Sequence, residues 1–254
     1  MIDTHAHLDG CEAPPAELLA RARQAGVERV ITVGSGIDSC RAALTIAERE
    51  SGVFTALGVH PHQAGGAEAE RLDELAELLT HHRAVAVGET GLDFYRQSAP
   101  HDRQRRLFAA QLELAGEFGK PVVVHNRDAD SETAELLADF EGTVILHCFS
   151  SPALLEPALA RGYYVSFAGN VTFAKADELR EAARHVPADQ ILAETDSPYL
   201  APVPRRGRPN EPANVVHTIG ALAQARGEEA AELAARMDVN ATAAFSLPVA
   251  SPAP

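Results

Sequence analysis

Two histidines, His5 and His7, stand near the start of the chain in the stretch IDTHAHLD (2–9). In an extended segment residues i and i+2 point to the same face, so both imidazoles are expected on one side of a strand. Neutral imidazole nitrogens bind divalent transition metals, and two at this spacing suit one ion. Two histidines on a partly buried strand, each satisfied by an ordinary hydrogen bond, are the alternative, and the stretch alone does not decide between them.

Four more side chains that can bind metals close later apolar, β-branched runs: Glu89, His125, His147 and Asp196. If the runs are strands of a barrel, their C-terminal ends converge on one mouth, where active sites are built. Four imidazoles and two carboxylates exceed the needs of one tetrahedral ion and suit two divalent ions that share a carboxylate. Mixed nitrogen and oxygen ligation favours Zn, Mn or Fe over Mg or Ca, although metal availability can override affinity.

The elements that must position these residues alternate regularly along the chain. Eight strands are predicted at 2–7, 28–33, 54–59, 84–89, 121–125, 143–147, 163–167 and 190–195. Helical patterns lie between them near 15–25, 38–50, 69–81, 102–118, 129–139, 153–161 and 176–185, followed by 212–237. This alternation in 254 residues predicts an α/β fold, a (β/α)₈ TIM-type barrel, as a single domain over 1–246 with a flexible tail at 247–254. A doubly wound sheet is the alternative, but no Gly-x-Gly-x-x-Gly follows the first strand.

Charge and composition narrow the possible partners. The 22 Lys and Arg against 36 Asp and Glu give a net charge of −14, which disfavours a broad basic face for duplex DNA. Two divalent ions beside Glu89 and Asp196 would nevertheless leave the pocket cationic and attract an anionic substrate. Apolar runs fall short of the ~20 residues that span a bilayer, so no membrane partner is expected. Three cysteines and the lack of a secretory signal predict a cytoplasmic protein.

Six stretches, in order, resemble the signatures of the TatD family of metal-dependent deoxyribonucleases: DTHAHLD (3–9), GVHPH (58–62), GETGLDFY (88–95), PVVVHNRDA (121–129), HCFS (147–150) and ETDSPYL (194–200). The resemblance implies a TIM-type barrel with two divalent ions, Mg, Mn or Zn, that hydrolyses phosphodiesters of DNA. It further implies a monomeric 3′–5′ exonuclease on single-stranded or frayed ends, in repair or degradation, with RNA as another candidate substrate. By this resemblance His5, His7 and Asp196 hold one ion, His125 and His147 hold the other, and Glu89 bridges them.

Roles follow from what phosphodiester hydrolysis needs. Asp196 is the candidate that orients and deprotonates the water, and Glu89 is the second catalytic carboxylate. The alternative for Asp196 is an Asx turn before Pro198. His62 could contact a phosphate or protonate the leaving group; an ordinary loop histidine is the alternative. Phosphate contacts are expected from a set of arginines, and solvated loop arginines are the alternative: Arg96, Arg127, Arg205, Arg206 and Arg208.

Two smaller expectations concern the loops. Glu211 is expected either to orient a ligand near the substrate or to start the next helix. Where the family has Arg-Asn-Glu-Pro, this chain has Pro209 in the first place and the arginine one residue earlier, at Arg208. Tyr95 or Phe94 could stack on a base, with burial favoured for Phe94.

Three other functions stay open at this level. Hydrolases of the same superfamily that act on cyclic amides, lactones or phosphotriesters often bridge their metals with a carboxylated lysine, but no lysine lies near Glu89. A D-aminoacyl-tRNA deacylase could use the same two-metal site. A nucleic-acid- or metal-binding barrel without catalysis is the alternative that is not an enzyme.

Overall fold

The computed structural model describes residues 1–248, and these form one eight-stranded parallel sheet in the order β1 to β8. Its strands are β1 Ile2–Ala6, β2 Arg29–Gly34, β3 Val53–Leu57, β4 Ala84–Asp93, β5 Val122–Arg127, β6 Val144–Leu146, β7 Tyr164–Phe167 and β8 Ile191–Ala193. Since β8 returns to the side of β1, the sheet closes into the predicted barrel. Residues 249–254, most of the predicted tail, lie outside the described residues, whereas Leu247 is buried.

A helix follows each of the first seven strands, and two follow β8. The helices are α1 Pro15–Gln24, α2 Ile37–Arg49, α3 Leu72–Leu79, α4 His101–Glu117, α5 Asp130–Leu137, α6 Pro152–Ala160, α7 Asp177–His185, α8 Val215–Arg226 and α9 Ala230–Ala244. The single helical region expected over 212–237 is wrong. Gly227, at φ +69°, ends α8 in the left-handed conformation that glycine adopts without steric cost, and α9 then continues to Ala244.

Strand β4 does not end at Glu89 as expected but runs four residues further, to Asp93. The register between β4 and β5 shifts between Val87 and Thr90, around Glu89, and such irregularities change the direction of a side chain. Gly91 is required nearby, because at φ +134° a Cβ would lie 2.0 Å from the carbonyl oxygen of His125. The longer β4 therefore brings two carboxylates, not one, to the mouth.

The two ends of the barrel differ in chemistry. Near the start of the strands the interior is filled by apolar side chains such as Ile31, Val123 and Leu192, and Phe245 after α9 packs into the same cluster. At the other end, the mouth, the strands end in histidines and acids. A large core between sheet and helices holds this frame, since each helix buries an apolar face against the strands. No helix in residues 1–248 is both long and apolar enough to cross a bilayer.

A buried acid, Asp3, links β1 to the segment after β8, and burial raises the pKa of its carboxyl group to about 8. The His7 amide donates to the Ser197 carbonyl at 2.7 Å, but β8 itself ends earlier, so few backbone bonds join the two strands. Asp3, 0% exposed, supplies the missing acceptors: its Oδ1 accepts from the Thr195 amide at 2.8 Å and its Oδ2 from the Thr195 hydroxyl at 2.6 Å. The first and last strands are thus joined beside the residues that form the site.

We expect Asp3→Ala to lower the free energy of unfolding by about 3 kcal/mol, because a buried amide and a buried hydroxyl would lose their acceptor. Urea denaturation in the presence of a chelator would measure this without any contribution from bound metal. The exposed Asp189→Ala serves as the matched control and should change little. Equal stability of the two variants would show that Asp3 does not hold the barrel closed.

Candidate metal centre

The carboxylate of Glu89 lies at the centre of the mouth and is surrounded by imidazoles. The side chain is 3% exposed, and ring nitrogens approach both of its oxygens. These nitrogens belong to five residues, His5, His7, His60, His125 and His147. One carboxylate is therefore shared by two groups of side chains, one near Oε2 and the other near Oε1.

The first group, near Oε2, is formed by β1 and the segment after β8. Glu89 Oε2 lies 3.4 Å from His5 Nε2 and 3.6 Å from His7 Nε2, and the two Nε2 atoms are 3.3 Å apart. Asp196 Oδ1 lies 3.5 Å from His7 Nε2 and 3.9 Å from His5 Nε2. Asp196 adopts φ +55°, a left-handed conformation that aspartate tolerates, and its amide donates to the His5 carbonyl. The residues predicted for one ion therefore converge.

The second group, near Oε1, contains the two predicted histidines and one that was not predicted. His125 Nδ1 lies 2.9 Å and His60 Nε2 3.3 Å from Glu89 Oε1. His147 Nε2 also lies 3.4 Å from this oxygen, but its ring stacks on that of His5 at 3.7 Å and is 6.2 Å from that of His125. His60 therefore lies beside His125 on the Oε1 side, and His147 reaches the same oxygen from the side of His5.

Two further carboxylates hold the rings in place. Glu194, 1% exposed, has Oε1 2.6 Å from His147 Nδ1 and also accepts from the Cys148 amide and the Ser166 hydroxyl. Asp93 Oδ2 lies 3.3 Å from His125 Nε2. A carboxylate on one ring nitrogen fixes the orientation of the imidazole and leaves the other nitrogen for a ligand. Both acids therefore act through the histidines they contact.

Electrostatics favour ionised acids in this pocket. Burial alone would raise the pKa of Glu89, but the nearby rings of His60 and His147 outweigh it and hold that pKa well below its usual range. For His147, burial lowers the pKa, yet Glu194 and Glu89 together raise it well above the ordinary value. Burial lowers the pKa of His5 and so favours its neutral, ligand-competent form. The acids that favour a protonated His147 would equally stabilise a metal cation.

The spacing of the donor atoms fits metal ions. Ligands at the usual 2.0–2.1 Å from a tetrahedral zinc lie about 3.4 Å from one another. In the first group, the two histidine nitrogens lie 3.3 Å from each other and 3.4 to 3.9 Å from the oxygens of Glu89 and Asp196. Within residues 1–248, Glu89 and Asp196 form no ion pair with a lysine or arginine. Two groups, each with two imidazoles and an oxygen of Glu89, can therefore each hold a divalent ion.

Comparison with known proteins agrees with this geometry. The family model described as TatD related DNase matches residues 2–246. A Mycobacterium tuberculosis protein named an uncharacterized metal-dependent hydrolase TatD is 41% identical, covering 97% of this chain and 98% of its own length. A Shigella flexneri protein named 3′-5′ ssDNA/RNA exonuclease TatD is 35% identical over 91% of this chain and 92% of its own. The crystal structure of YjjV, a TatD homologue from Escherichia coli, superposes with a TM-score of 0.92 at 30% identity, covering 98% of each chain.

The chain belongs to the TatD family. It is accordingly a metal-dependent hydrolase built on a TIM-type barrel, as the six motifs indicated. The segments that resemble the family's signatures are assembled at the mouth: DTHAHLD supplies His5 in β1 and His7 just after it, and GETGLDFY supplies the shared carboxylate.

The residues predicted to contact the substrate of this TatD protein lie at different positions in the structure. His62 lies at the site, with Nε2 2.7 Å from Asp93 Oδ2, and the guanidinium of Arg127 lies 4.0 Å above the Tyr95 ring. Arg96 is exposed on the loop that carries Tyr95, and its amide donates to Asp93 Oδ1. Arg127 forms no ion pair in the described part of the chain, so its charge is available to an anion.

The loop after β8 carries the other residues that were predicted to contact the substrate. Arg205, Arg206 and Arg208 are exposed, and Arg206 stacks over the Phe173 ring at 3.9 Å, on the rim beside β7. Glu211 pairs with Arg21 instead of a metal-binding side chain: it accepts a hydrogen bond from Arg21 Nε at 2.7 Å, and Arg21 Nη2 lies 2.6 Å from the same oxygen. It precedes the short 3₁₀ helix Pro212–Asn214. The alternative that Glu211 starts the next helical element therefore describes it better than a role in orienting a ligand.

Three residues of the site were missed by reasoning from the sequence. His60 forms with His62 a second pair at i, i+2, the same pattern as His5 and His7, and that spacing could have identified it. Asp93 was missed because β4 was ended at Glu89. Glu194 opens the ETDSPYL motif, but its role was not predicted, because its contacts with His147, Cys148 and Ser166 depend on how the strand ends pack.

We expect Glu194→Gln to weaken metal binding by about 10- to 100-fold, because loss of the carboxylate on Nδ1 lowers the basicity of the His147 ring and frees its orientation. Titration calorimetry of Mn²⁺ or Zn²⁺ into metal-stripped protein would measure the change. The exposed Glu113→Gln is the matched control and should bind like the parent. An affinity for Glu194→Gln equal to that of the control would remove Glu194 from the metal centre.

Proposed function

We propose that this TatD protein is a two-metal 3′–5′ exonuclease that removes nucleotides from the ends of single-stranded or frayed DNA, with RNA as a further substrate. The observation that carries the proposal is the position of Glu89, whose two oxygens each face a separate group of imidazoles. Paired divalent ions that share a carboxylate are typical of phosphodiester hydrolysis. Relatives named 3′-5′ ssDNA/RNA exonuclease support the choice of substrate.

The two ions, when bound, would lower the pKa of water to near neutrality and neutralise charge on the phosphate oxygens. The ligands proposed for one ion are His5, His7 and Asp196, and those for the other are His60 and His125. Glu89 is proposed as the ligand common to both, with His147 between them. Zn or Mn suits this mixture of nitrogen and oxygen donors better than Mg.

Asp196 is the proposed proton acceptor. Its carboxylate lies beside the rings of His5 and His7. Although burial opposes ionisation, the hydrogen bond from His7 lowers the pKa of Asp196, so it is ionised at neutral pH. Water attacks phosphorus, its oxygen forms the new P–O bond, and its proton passes to Asp196. The left-handed turn at Asp196 keeps the carboxylate at the mouth rather than on the sheet face.

The side chains proposed for the remaining steps, Arg127 and His62, lie across the mouth from Asp196. Arg127 would bind the non-bridging phosphate oxygens through its planar guanidinium. The bond that breaks joins phosphorus to the 3′ oxygen of the adjacent nucleotide, and that oxygen must receive a proton. His62 is the proposed donor, and because Asp93 occupies its Nε2, Nδ1 is the nitrogen available to the substrate. The products are a nucleoside 5′-monophosphate and a strand shortened by one.

We expect Asp196→Asn to slow the cleavage of single-stranded DNA by about 10²- to 10⁴-fold, because the general base is lost. Oligonucleotides labelled at either end, as single strand, duplex, 3′ overhang and RNA, would be incubated with metal-stripped protein to which Mg²⁺, Mn²⁺ or Zn²⁺ is restored singly. A ladder that shortens from the 3′ end is the expected product.

The exposed Asp139→Asn provides the matched control and should cleave like the parent. Intact oligonucleotides under every metal would contradict the proposal, and D-aminoacyl-tRNA would then be the next substrate to assay. Shortening from the 5′ end would contradict the polarity alone.

A further inference from the structure

The distribution of aromatic side chains over this protein is uneven. The sequence has nine phenylalanines, four tyrosines and no tryptophan. Every phenylalanine is buried or half-buried, and within residues 1–248 the exposed aromatic rings are Tyr95 and Tyr199, at 59% and 61%. Tyr95 follows β4 and Tyr199 follows β8, which lie on opposite sides of an eight-stranded barrel. Both exposed rings are therefore at the mouth, with the metal centre between them.

Tyr199 is held firmly despite its exposure. Its amide donates to the Asp196 carbonyl at 2.8 Å, and its own carbonyl accepts from Asn210 Nδ2 at 2.7 Å. Asn210 is 2% exposed and also donates to the Thr195 carbonyl, so it ties the loop to the end of β8. The Tyr199 ring stands edge-on to that of His7, with centroids 6.0 Å apart. An exposed aromatic face is thus fixed next to the first ligand group.

Tyr95 is fixed on the opposite side. The Arg127 guanidinium lies over its ring at 4.0 Å, and the Phe94 amide before it donates to the Arg127 carbonyl at 2.9 Å. Phe94 itself is half-buried and stacks on His101 at 3.7 Å, which anchors the loop to α4. A cationic and an aromatic plane are therefore stacked beside the second ligand group.

We propose that Tyr199 and Tyr95 are stacking platforms for two unpaired nucleobases, one on each side of the scissile phosphate. This rests on the proposed nuclease function and deepens it. Aromatic rings stack on any base, whereas a charged pocket alone would bind the phosphate of a duplex equally well. Bases in a duplex have both faces covered by their neighbours, so only a strand with separable bases can occupy both platforms. The two tyrosines therefore set the preference for single strands.

Binding, measured apart from cleavage, tests this proposal. Fluorescence anisotropy would follow a 5′-fluorescein oligothymidylate bound to the Asp196→Asn protein in Mn²⁺, alongside the same strand with two abasic nucleotides at its 3′ end. We expect Tyr199→Ala and Tyr95→Ala each to raise the Kd of the complete strand by about tenfold, and the phenylalanine replacements to restore affinity to within about twofold. On the abasic strand, the alanine variants should bind like the parent.

Several outcomes would overturn the proposal. Alanine variants that bind the complete strand like the parent would show that neither ring stacks on a base. Equal losses on the complete and abasic strands would assign the tyrosines a structural role only. Val239→Ala, at an exposed site on α9, is the control for a general surface effect. Ring-dependent binding without cleavage by the wild-type protein would support the platforms and overturn the proposed hydrolysis.

Discussion

The buried carboxylate of Glu89 is the constraint on which the rest of the structure depends. An ionised acid that is 3% exposed loses several kcal/mol of hydration and must recover it from its surroundings. Here the recovery comes from five imidazoles, which four separate parts of the chain place against one or the other of the two oxygens. Because imidazoles also lose hydration when charged, divalent ions between rings and carboxylate satisfy both requirements. The pocket is therefore best understood as a cation site.

The barrel meets this constraint through a few local departures from regular structure. The register shift in β4 carries Glu89 to the centre while the same strand continues to Asp93, so one strand supplies the shared carboxylate and the acid that contacts His62 and His125. Closure of the barrel through Asp3 and Thr195 places the β1 histidines against Asp196. Apolar side chains fill the opposite end of the barrel, away from these irregularities.

The sequence was sufficient for the fold and for most of the site, for identifiable reasons. Strand and helix periods, together with the repeated occurrence of metal-binding types at strand ends, predicted the barrel and brought His5, His7, Glu89, His125, His147 and Asp196 to one mouth. The sequence did not predict three features that depend on strand register and side-chain packing: the extension of β4, the position of His60 beside His125, and the contact of Glu194 with His147. The contact of Glu211 with Arg21 was not predicted either, because the two residues lie 190 positions apart in the sequence.

The most direct measurement is the number of metal ions that the chain binds and its dependence on Glu89. Metal-stripped protein equilibrated with Mn²⁺ or Zn²⁺ would be examined by native mass spectrometry and elemental analysis, with Glu113→Gln as the matched control. We expect two ions per wild-type chain, one in His7→Ala, and the loss of both from Glu89→Gln at concentrations that saturate the parent. A wild-type chain that saturates with one ion, or a Glu89→Gln protein that retains two at unchanged affinity, would contradict the shared carboxylate.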